Sequence, residues 1–117
     1  MDHALRQFKS EIFQGLANPT RIAIVELLRD GELSAGKLIE KLGIEQANAS
    51  QHLAVLRAAG VVEAERDGRE VRYRLVDPDV MVACDLMRAV LRRRLNRLGA
   101  IAAEGGLPSL PVSSLAR

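Results

Sequence analysis

Apolar residues recur at intervals of three or four along the first part of the chain, which is the spacing of an amphipathic helix. The first helix predicted in this way covers about residues 4–16, and its apolar face carries Leu5, Phe8, Ile12 and Leu16. Asn18 is followed by Pro19, the order expected for a helix cap and a first helical residue. A second helix is therefore predicted to extend to about Leu28 and to end at Asp30-Gly31.

Two further helices follow with almost no chain between them. Ser34 can cap a short third helix whose apolar residues are Leu38, Ile39 and Leu42. Gly43 suits the left-handed conformation that ends such a helix. A fourth helix is predicted from about Gln46 to Ala59, with Gly60 as its stop. Two helices joined by a short turn that contains glycine are typical of a helix-turn-helix.

Beyond the fourth helix the hydrophobic period changes to strict alternation, which indicates two β-strands. The apolar positions are Val62, Ala64, Val71, Tyr73 and Leu75. Asp67-Gly68 between the two halves is a strong signal for a two-residue hairpin turn. Such a turn sets Glu63 opposite Arg72, a favourable pair, but it also sets Glu65 opposite Glu70. A longer loop would avoid this like-charge pair, so the register of the strands stays open.

A long final helix is predicted to begin at Asp77-Pro78-Asp79 and to reach about Ala103. Its apolar stripe consists of Val80, Cys84, Met87, Leu91, Leu95, Leu98 and Ala102. Alternating steps of three and four are typical of a helix that packs against a partner helix. The helical period is lost from Gly105, so we expect one domain over residues 1–104 and a flexible tail over residues 105–117.

Four helices, a hairpin and a last helix predict a mainly α fold with a small β-hairpin, the winged helix-turn-helix. In such a domain the second helix of the helix-turn-helix reads DNA. On a helical wheel its buried side is marked by Ala49, Leu53, Leu56 and Gly60. The opposite side carries Ala47, Gln51, Ala54 and Ala58, with Asn48 on one flank and Ser50 and Arg57 on the other. Small and polar side chains of this kind fit a major groove, although an ordinary solvated helix face has the same composition.

Several side chains of this fourth helix are candidates for DNA contact. The amides of Gln51 and Asn48 can pair with adenine in the major groove. Ser50 and Gln46 can reach phosphates or base edges near the N-terminus of the helix. His52 lies on the flank nearer the core, where packing and DNA contact are both open interpretations.

The hairpin offers cations to a DNA backbone. Arg66 and Arg69 bracket its tip, and Arg72 and Arg74 follow on the second strand, as a wing that meets phosphates requires. Residues 44–76 nevertheless contain five arginines and five acidic residues, so this half of the domain has no net charge. DNA affinity must then come from individually placed arginines and from dimeric geometry. Because this segment has no net charge, a winged helix that binds another protein instead of DNA stays an alternative function.

Composition narrows the function classes further. An aromatic content of 3% argues against a carbohydrate pocket or a stacking platform for single strands. The single cysteine, Cys84, excludes an intrachain disulfide, and the chain has no signal-peptide or membrane pattern, so we expect a cytoplasmic protein. No nucleophile–base pair or phosphate-binding glycine loop is recognisable, so we expect neither enzymatic activity nor a cofactor. The formal charge of +2 permits DNA binding without requiring it.

Four segments resemble the ArsR/SmtB family of bacterial winged helix repressors: LANPTR at 16–21, SQHL at 50–53, LRAAGVV at 56–62 and GREVRY at 68–73. The resemblance covers roughly Phe8 to Leu95. It implies a homodimer, held by the first and last helices, that binds a palindromic operator until an inducer weakens the complex.

The resemblance also assigns residues to roles. The family's DNA contacts correspond here to Gln46, Asn48, Ser50, Gln51 and His52, and to the wing residues Arg66, Arg69 and Arg72. The family's dimer interface corresponds to Leu5, Phe8, Ile12, Val80, Cys84, Met87, Leu91, Leu95 and Leu98. Double-stranded DNA and a second copy of the chain are therefore the expected partners.

The sensing sites of the family are not matched. Ser34 and Gly36 stand where relatives that bind arsenic or soft metals have a Cys-x-Cys pair, and neither residue supplies a thiolate. Zinc-binding relatives use two pairs of Asp and His between their last helices; here these positions hold Asp77, Asp79, Val90 and Arg93. An arginine repels a metal cation, so no metal site is expected.

Cys84 leaves two interpretations open. Thiol-sensing relatives pair a cysteine of the second helix with one of the last, and the second helix has no cysteine here. Cys84 could still respond to oxidation within a dimer, but a buried structural thiol is the more frequent role. The resemblance therefore implies a repressor whose inducer is unknown, with a thiol-responsive repressor as the alternative.

Overall fold

The computed structural model describes residues 2–99 of the 117-residue chain. Its helices are α1 (His3–Leu16), α2 (Pro19–Leu27), α3 (Ala35–Leu42), α4 (Gln46–Ala58) and α5 (Asp79–Arg97). Its strands are β1 (Leu33–Ser34), β2 (Val62–Asp67) and β3 (Glu70–Leu75). The predicted order of four helices, a hairpin and a last helix is confirmed.

The helix boundaries follow the capping residues that the sequence indicates. The Asn18 side chain accepts hydrogen bonds from the backbone N–H groups of Thr20 at 2.8 Å and Arg21 at 3.2 Å, which satisfies two donors at the start of α2. Ser34 Oγ accepts from the backbone N–H of Lys37 at 3.1 Å at the start of α3. Gly43 ends α3 with φ of 65°, a left-handed conformation that glycine adopts without strain.

A third strand, β1, was not predicted. It pairs antiparallel with β3, so that Leu33 lies opposite Tyr73 and Ser34 opposite Arg72, and the sheet has the order β1-β3-β2. A strand of two residues is too short to show the alternation by which a strand is recognised in a sequence. Its pairing makes β3 the central strand and ties the wing to the start of α3.

The hairpin register that follows from a turn at Asp67-Gly68 is wrong. Asp67 pairs with Glu70, and the two-residue turn is formed by Gly68 and Arg69, with Gly68 at φ of 65°. The register therefore shifts by two residues, which leaves every side chain on its predicted face but changes its partner. Glu63 lies opposite Arg74, and Glu65 lies opposite Arg72. The Glu65–Glu70 pair therefore does not form.

The last helix is shorter than predicted, because α5 ends at Arg97 instead of near Ala103. Leu98 N–H donates to the carbonyls of Arg94 and Leu95 at 3.2 Å, and Gly99 follows with φ of 68°. A left-handed glycine directly after a helix is a common way to end it. The predicted stripe residue Ala102 and the predicted tail over 105–117 lie outside the described residues.

The chain divides into two compact units, Met1–Val82 and Ala83–Arg117. The first unit contains an aliphatic core of Ile24, Val25, Leu28, Leu38, Ala49, Leu53, Leu56, Val61, Val62 and Met81. Within it, α1 and α4 approach closely, because a Cβ placed on Gly15 would lie 2.6 Å from the Cβ of Ala59. No helix among residues 2–99 combines the length and apolarity needed to cross a membrane.

Candidate nucleic-acid interface

α3 and α4 form a helix-turn-helix, since only residues 43–45 separate them. Leu38 on α3 and Ala49, Leu53 and Leu56 on α4 are buried, which anchors both helices to the core. This burial leaves the side of α4 that faces away from the core available to a ligand. The predicted buried side of α4 is therefore confirmed, except that Gly60 lies beyond the helix and is exposed.

The outward face of α4 combines small residues with amides and a hydroxyl. Its exposed residues are Gln46, Ala47, Asn48, Ser50, Gln51, Ala54, Arg57 and Ala58. Because three of these positions hold alanine, whose side chain is short, the longer side chain of Gln51 projects beyond its neighbours. Such a surface can approach base edges in a groove about 12 Å wide.

His52 belongs to the same helix but is only half-exposed. Its Nδ1 lies 3.2 Å from Nη1 of Arg21 on α2. The same guanidinium donates from Nε to the carbonyl of Gly15 at 2.6 Å, so it joins the end of α1 to α4. Sequence reasoning did not identify Arg21, because nothing in a local pattern shows which distant helix an arginine reaches.

An open groove separates α4 from the wing. It is lined by Ser50, Leu53, Ala54, Arg57, Ala58 and Tyr73. Ser50 and Arg57 therefore face toward the hairpin, whereas Asn48 and His52 lie on the other flank of the helix. The sequence identified Tyr73 only as an apolar position of a strand. In the folded structure Tyr73 lines the groove beside α4.

One face of the wing carries an ion-pair network. Arg74 donates from Nε to Glu63 at 2.9 Å and from Nη1 to Glu65 at 3.0 Å. The hydrogen bond to Glu65, followed by that to Glu63, raises the pKa of Arg74 above its ordinary value. Glu32, just before β1, lies 3.8 Å from both Arg74 and Arg72. These pairs link the two long strands to the segment that precedes β1.

The same network engages Arg72, which was predicted to contact DNA. Its guanidinium lies 3.4 Å from Glu70, 3.6 Å from Asp67 and 3.8 Å from Glu32. These exposed ion pairs are weak and offset the charge of Arg72 only in part. Within the chain Arg72 pairs with the acidic residues at the wing tip, and its contact with DNA stays a prediction.

Arg57, Arg66 and Arg69 differ from Arg72, because none of them has an ion pair with another of the described residues. All three are exposed. Arg69 occupies the second position of the hairpin turn, and Arg66 lies two residues before that turn. These three guanidinium groups, one on α4 and two at the wing tip, are therefore exposed and unpaired within residues 2–99.

Large apolar side chains remain exposed on α1 and α5. On α1 they include Leu5 and Phe8, of which Phe8 is 62% exposed. On α5 they are Val82, Leu86, Met87, Val90 and Leu91, followed by Leu98 just after the helix. The α5 set covers about half of the helix circumference, a wider arc than the predicted stripe. The predicted interface did not include Phe13, Val82, Leu86 and Val90, because a heptad pattern selects only a narrow strip of a helix surface.

Not every predicted interface residue offers surface to a partner. Leu95 is only 1% exposed in the single chain, so a second copy has nothing of it to cover. Ile12, Val80 and Cys84 are half-buried. Leu95 is thus buried in the single chain, and the assignment of these residues to a dimer interface stays a prediction.

Two of the residues at the family's metal-sensing positions, Ser34 and Asp77, form hydrogen bonds with the backbone. Ser34 caps α3, and the Asp77 carboxylate accepts a hydrogen bond from the backbone N–H of Asp79 at 2.8 Å. Residues 2–99 contain no group of three or more His, Cys, Asp and Glu side chains placed to hold a metal ion.

Comparisons with known proteins place this architecture in a family. A family model described as a helix-turn-helix domain matches residues 16–65. Over 93 residues the chain is 44% identical to the uncharacterized HTH-type transcriptional regulator Rv0081 of Mycobacterium tuberculosis, covering 79% of this chain and 82% of that protein. The crystal structure of Rv0081 has a TM-score of 0.74 with this chain, at 42% identity over 85% of this chain and 100% of that one.

Two further relatives are named more specifically. The HTH-type transcriptional repressor SmtB of Mycobacterium tuberculosis is 51% identical over 67 residues, which are 57% of this chain and 50% of that protein. The homodimeric winged helix-turn-helix DNA-binding domain Mb0332 of Mycobacterium bovis, described as a possible ArsR-family regulator, has a TM-score of 0.73 at 31% identity, over 80% of this chain and 87% of that one. With the wing and the helix-turn-helix established, this chain belongs to the ArsR/SmtB family of winged helix-turn-helix, DNA-binding transcriptional regulators.

Proposed function

We propose that this regulator is a homodimeric repressor that binds an inverted-repeat operator in the cytoplasm and leaves it in response to a signal. The observation that carries the proposal is the outward face of α4, where exposed amides stand among alanines. The repressor SmtB, 51% identical over the shared region, supports repression as the outcome of binding. The proposal includes no catalytic step and no cofactor.

Each DNA-facing residue has a proposed task. Gln51 and Asn48 read base edges in the major groove, because their amides can both donate and accept. Gln46, Ser50, His52 and Arg57 contact the backbone at the edges of α4, and Arg66 and Arg69 contact phosphates through the wing. Arg72 serves the wing itself, since its partners Glu32, Asp67 and Glu70 already surround it.

The dimer is proposed from the exposed apolar side chains of α1 and, separately, of α5. Soluble monomers rarely expose large contiguous apolar patches, and residues such as Phe8, Leu86 and Met87 are more than half exposed in the single chain. The homodimeric state of the Mb0332 domain supports the same assembly here. Two copies would present their α4 helices about one turn of DNA, roughly 34 Å, apart.

Selection of binding sites from random duplex DNA with the full chain tests the proposal. We expect an inverted repeat to be enriched, and Gln51→Ala to weaken binding to that repeat by about 1–3 kcal/mol and to relax one base position. Gln7→Ala is the matched control, because Gln7 is also an exposed glutamine but belongs to α1 and not to the helix-turn-helix.

Two results would overturn the proposal. If the wild-type chain binds no duplex DNA, the alternative of a winged helix that binds protein gains support. If Gln51→Ala lowers affinity for all sequences equally, Gln51 contacts the backbone and does not read bases.

A further inference from the structure

Arg21 connects three helices through one guanidinium group. Nε and Nη2 donate to the carbonyls of Gly15 at 2.6 Å and Gln14 at 3.4 Å, near the C-terminal end of α1. Nη1 lies 3.2 Å from Nδ1 of His52. The Gln14 carbonyl also accepts from the backbone N–H of Ala17 at 3.2 Å, so Arg21 is a second donor to it, whereas Arg21 satisfies the Gly15 carbonyl in the last turn of the helix. Its third nitrogen, Nη1, is directed to the helix that carries the proposed DNA contacts.

The chemistry of this contact determines which ring nitrogen of neutral His52 carries the proton. A guanidinium can only donate, so Nδ1 of His52 must accept. A neutral imidazole that accepts at Nδ1 carries its proton at Nε2. The contact therefore selects the neutral Nε2–H tautomer.

The second ring nitrogen, Nε2, has no hydrogen-bond partner among residues 2–99. In the same part of the chain, no buried side-chain nitrogen or oxygen lacks a partner. Nε2 is therefore not fully buried, which leaves it a path to an external acceptor. His52 follows Asn48 by four residues, so both lie on the same flank of α4.

We propose that Arg21 is a positioning residue for DNA binding, which holds His52 as the Nε2–H tautomer so that this N–H donates to a phosphate oxygen of the DNA backbone. The inference rests on the proposed function. A phosphate is the expected acceptor because His52 lies about 100° around the helix from Gln51, toward the core. From this flank a side chain reaches the backbone that borders the groove and not the base edges within it.

The first test needs no variant. ¹⁵N NMR of the wild-type protein at mildly alkaline pH distinguishes the two imidazole tautomers by the shifts of Nδ1 and Nε2. We expect His52 to be fixed as Nε2–H and to become a mixture of tautomers in Arg21→Met. An Nδ1–H tautomer in the wild type, or an unchanged tautomer in Arg21→Met, overturns the proposal.

The second test measures affinity for the selected operator and for random duplex DNA, together with thermal unfolding. His52→Ala and Arg21→Met should each weaken both affinities by about tenfold, the effect of losing one hydrogen bond to a charged group. The double variant, which combines Arg21→Met with His52→Ala, should bind DNA with no lower affinity than the single variant that binds less tightly. Arg6→Met on α1 removes one exposed arginine without touching His52 and should bind as the wild type does.

His52→Asn separates a role in DNA binding from one in folding. The Asn oxygen can still accept from Arg21, so stability should be retained, but the Nε2–H donor is lost and DNA affinity should fall as in His52→Ala. Additive losses in the double variant, or wild-type affinity in His52→Asn, contradict the proposal. Failure of the proposed function would instead appear in the wild type and in Arg6→Met, as absence of DNA binding altogether.

Discussion

Gly15 is the position where one added methyl group tests the packing of the fold most directly. It is buried in the last turns of α1, and a Cβ built there lies 2.6 Å from the Cβ of Ala59. Two carbon atoms prefer a separation of about 3.5–4.0 Å, so Gly15→Ala requires α1 and α4 to move apart by about 1 Å. No other atom is closer than 3.8 Å to the added methyl, so Ala59 alone determines the clash.

Two effects of opposite sign determine the expected change in stability. Alanine in a helix interior is favoured over glycine by roughly 0.5–1 kcal/mol. Overpacking a close contact costs typically about 1–3 kcal/mol. Because the methyl meets a backbone-attached Cβ that cannot rotate away, we expect the steric cost to dominate. Gly15→Ala should lower the free energy of unfolding by about 1 kcal/mol, which is roughly 4–8 °C in Tm for a domain of this size.

Chemical denaturation of Gly15→Ala, Ala59→Gly and the double variant at one fixed protein concentration measures this effect. Ala59→Gly removes the obstructing methyl, so in the Gly15→Ala background it should restore stability, with a coupling energy of about 1–2 kcal/mol between the two sites. A Gly15→Ala protein as stable as the wild type, or a double variant with purely additive losses, would refute the close packing of α1 on α4.

Three further changes probe the wing, the apolar surface and the thiol. Arg69→Ala should weaken binding to all DNA sequences alike and reduce the salt dependence of log K by about one charge, because Arg69 is exposed without an ion pair in the described chain; a change in base preference would contradict this. Met87→Glu should give a folded monomer that no longer binds the operator, since Met87 is 64% exposed in the single chain; sedimentation as a dimer would exclude this surface as the interface. Oxidant treatment should leave DNA binding unchanged, as expected for the structural role of the half-buried Cys84; a loss of binding that Cys84→Ser abolishes would establish thiol sensing.

The helices could be predicted because their signals are local. Asn18 and Ser34 cap helices by bonding to backbone groups two or three residues away, and Gly43 ends a helix through its own backbone conformation. The buried and exposed sides of α4 follow from a period of about 3.6 residues, without knowledge of what packs against it. This is why the outward position of Gln51 was evident before the fold was known.

The predictions that failed depend on interactions between distant segments. The hairpin turn was placed at Asp67-Gly68 from a local preference, but the observed register puts arginines opposite both Glu63 and Glu65. The ion pairs of Arg72 and Arg74 with Glu32 also require β1, which the sequence did not reveal. An arginine in a strand can contact DNA or neutralise a neighbouring acid, and only the pairing of strands distinguishes the two roles.

The sequence by itself determined the element order, the helix-turn-helix and the face of α4 that is free to meet DNA, because periodicity and capping act within a few residues. The tertiary structure decided which arginines are engaged, that Leu95 is buried in the single chain, and that Arg21 reaches His52 across 31 positions of the chain. Such contacts join segments brought together by burial of the core, and no local pattern records which segments those are.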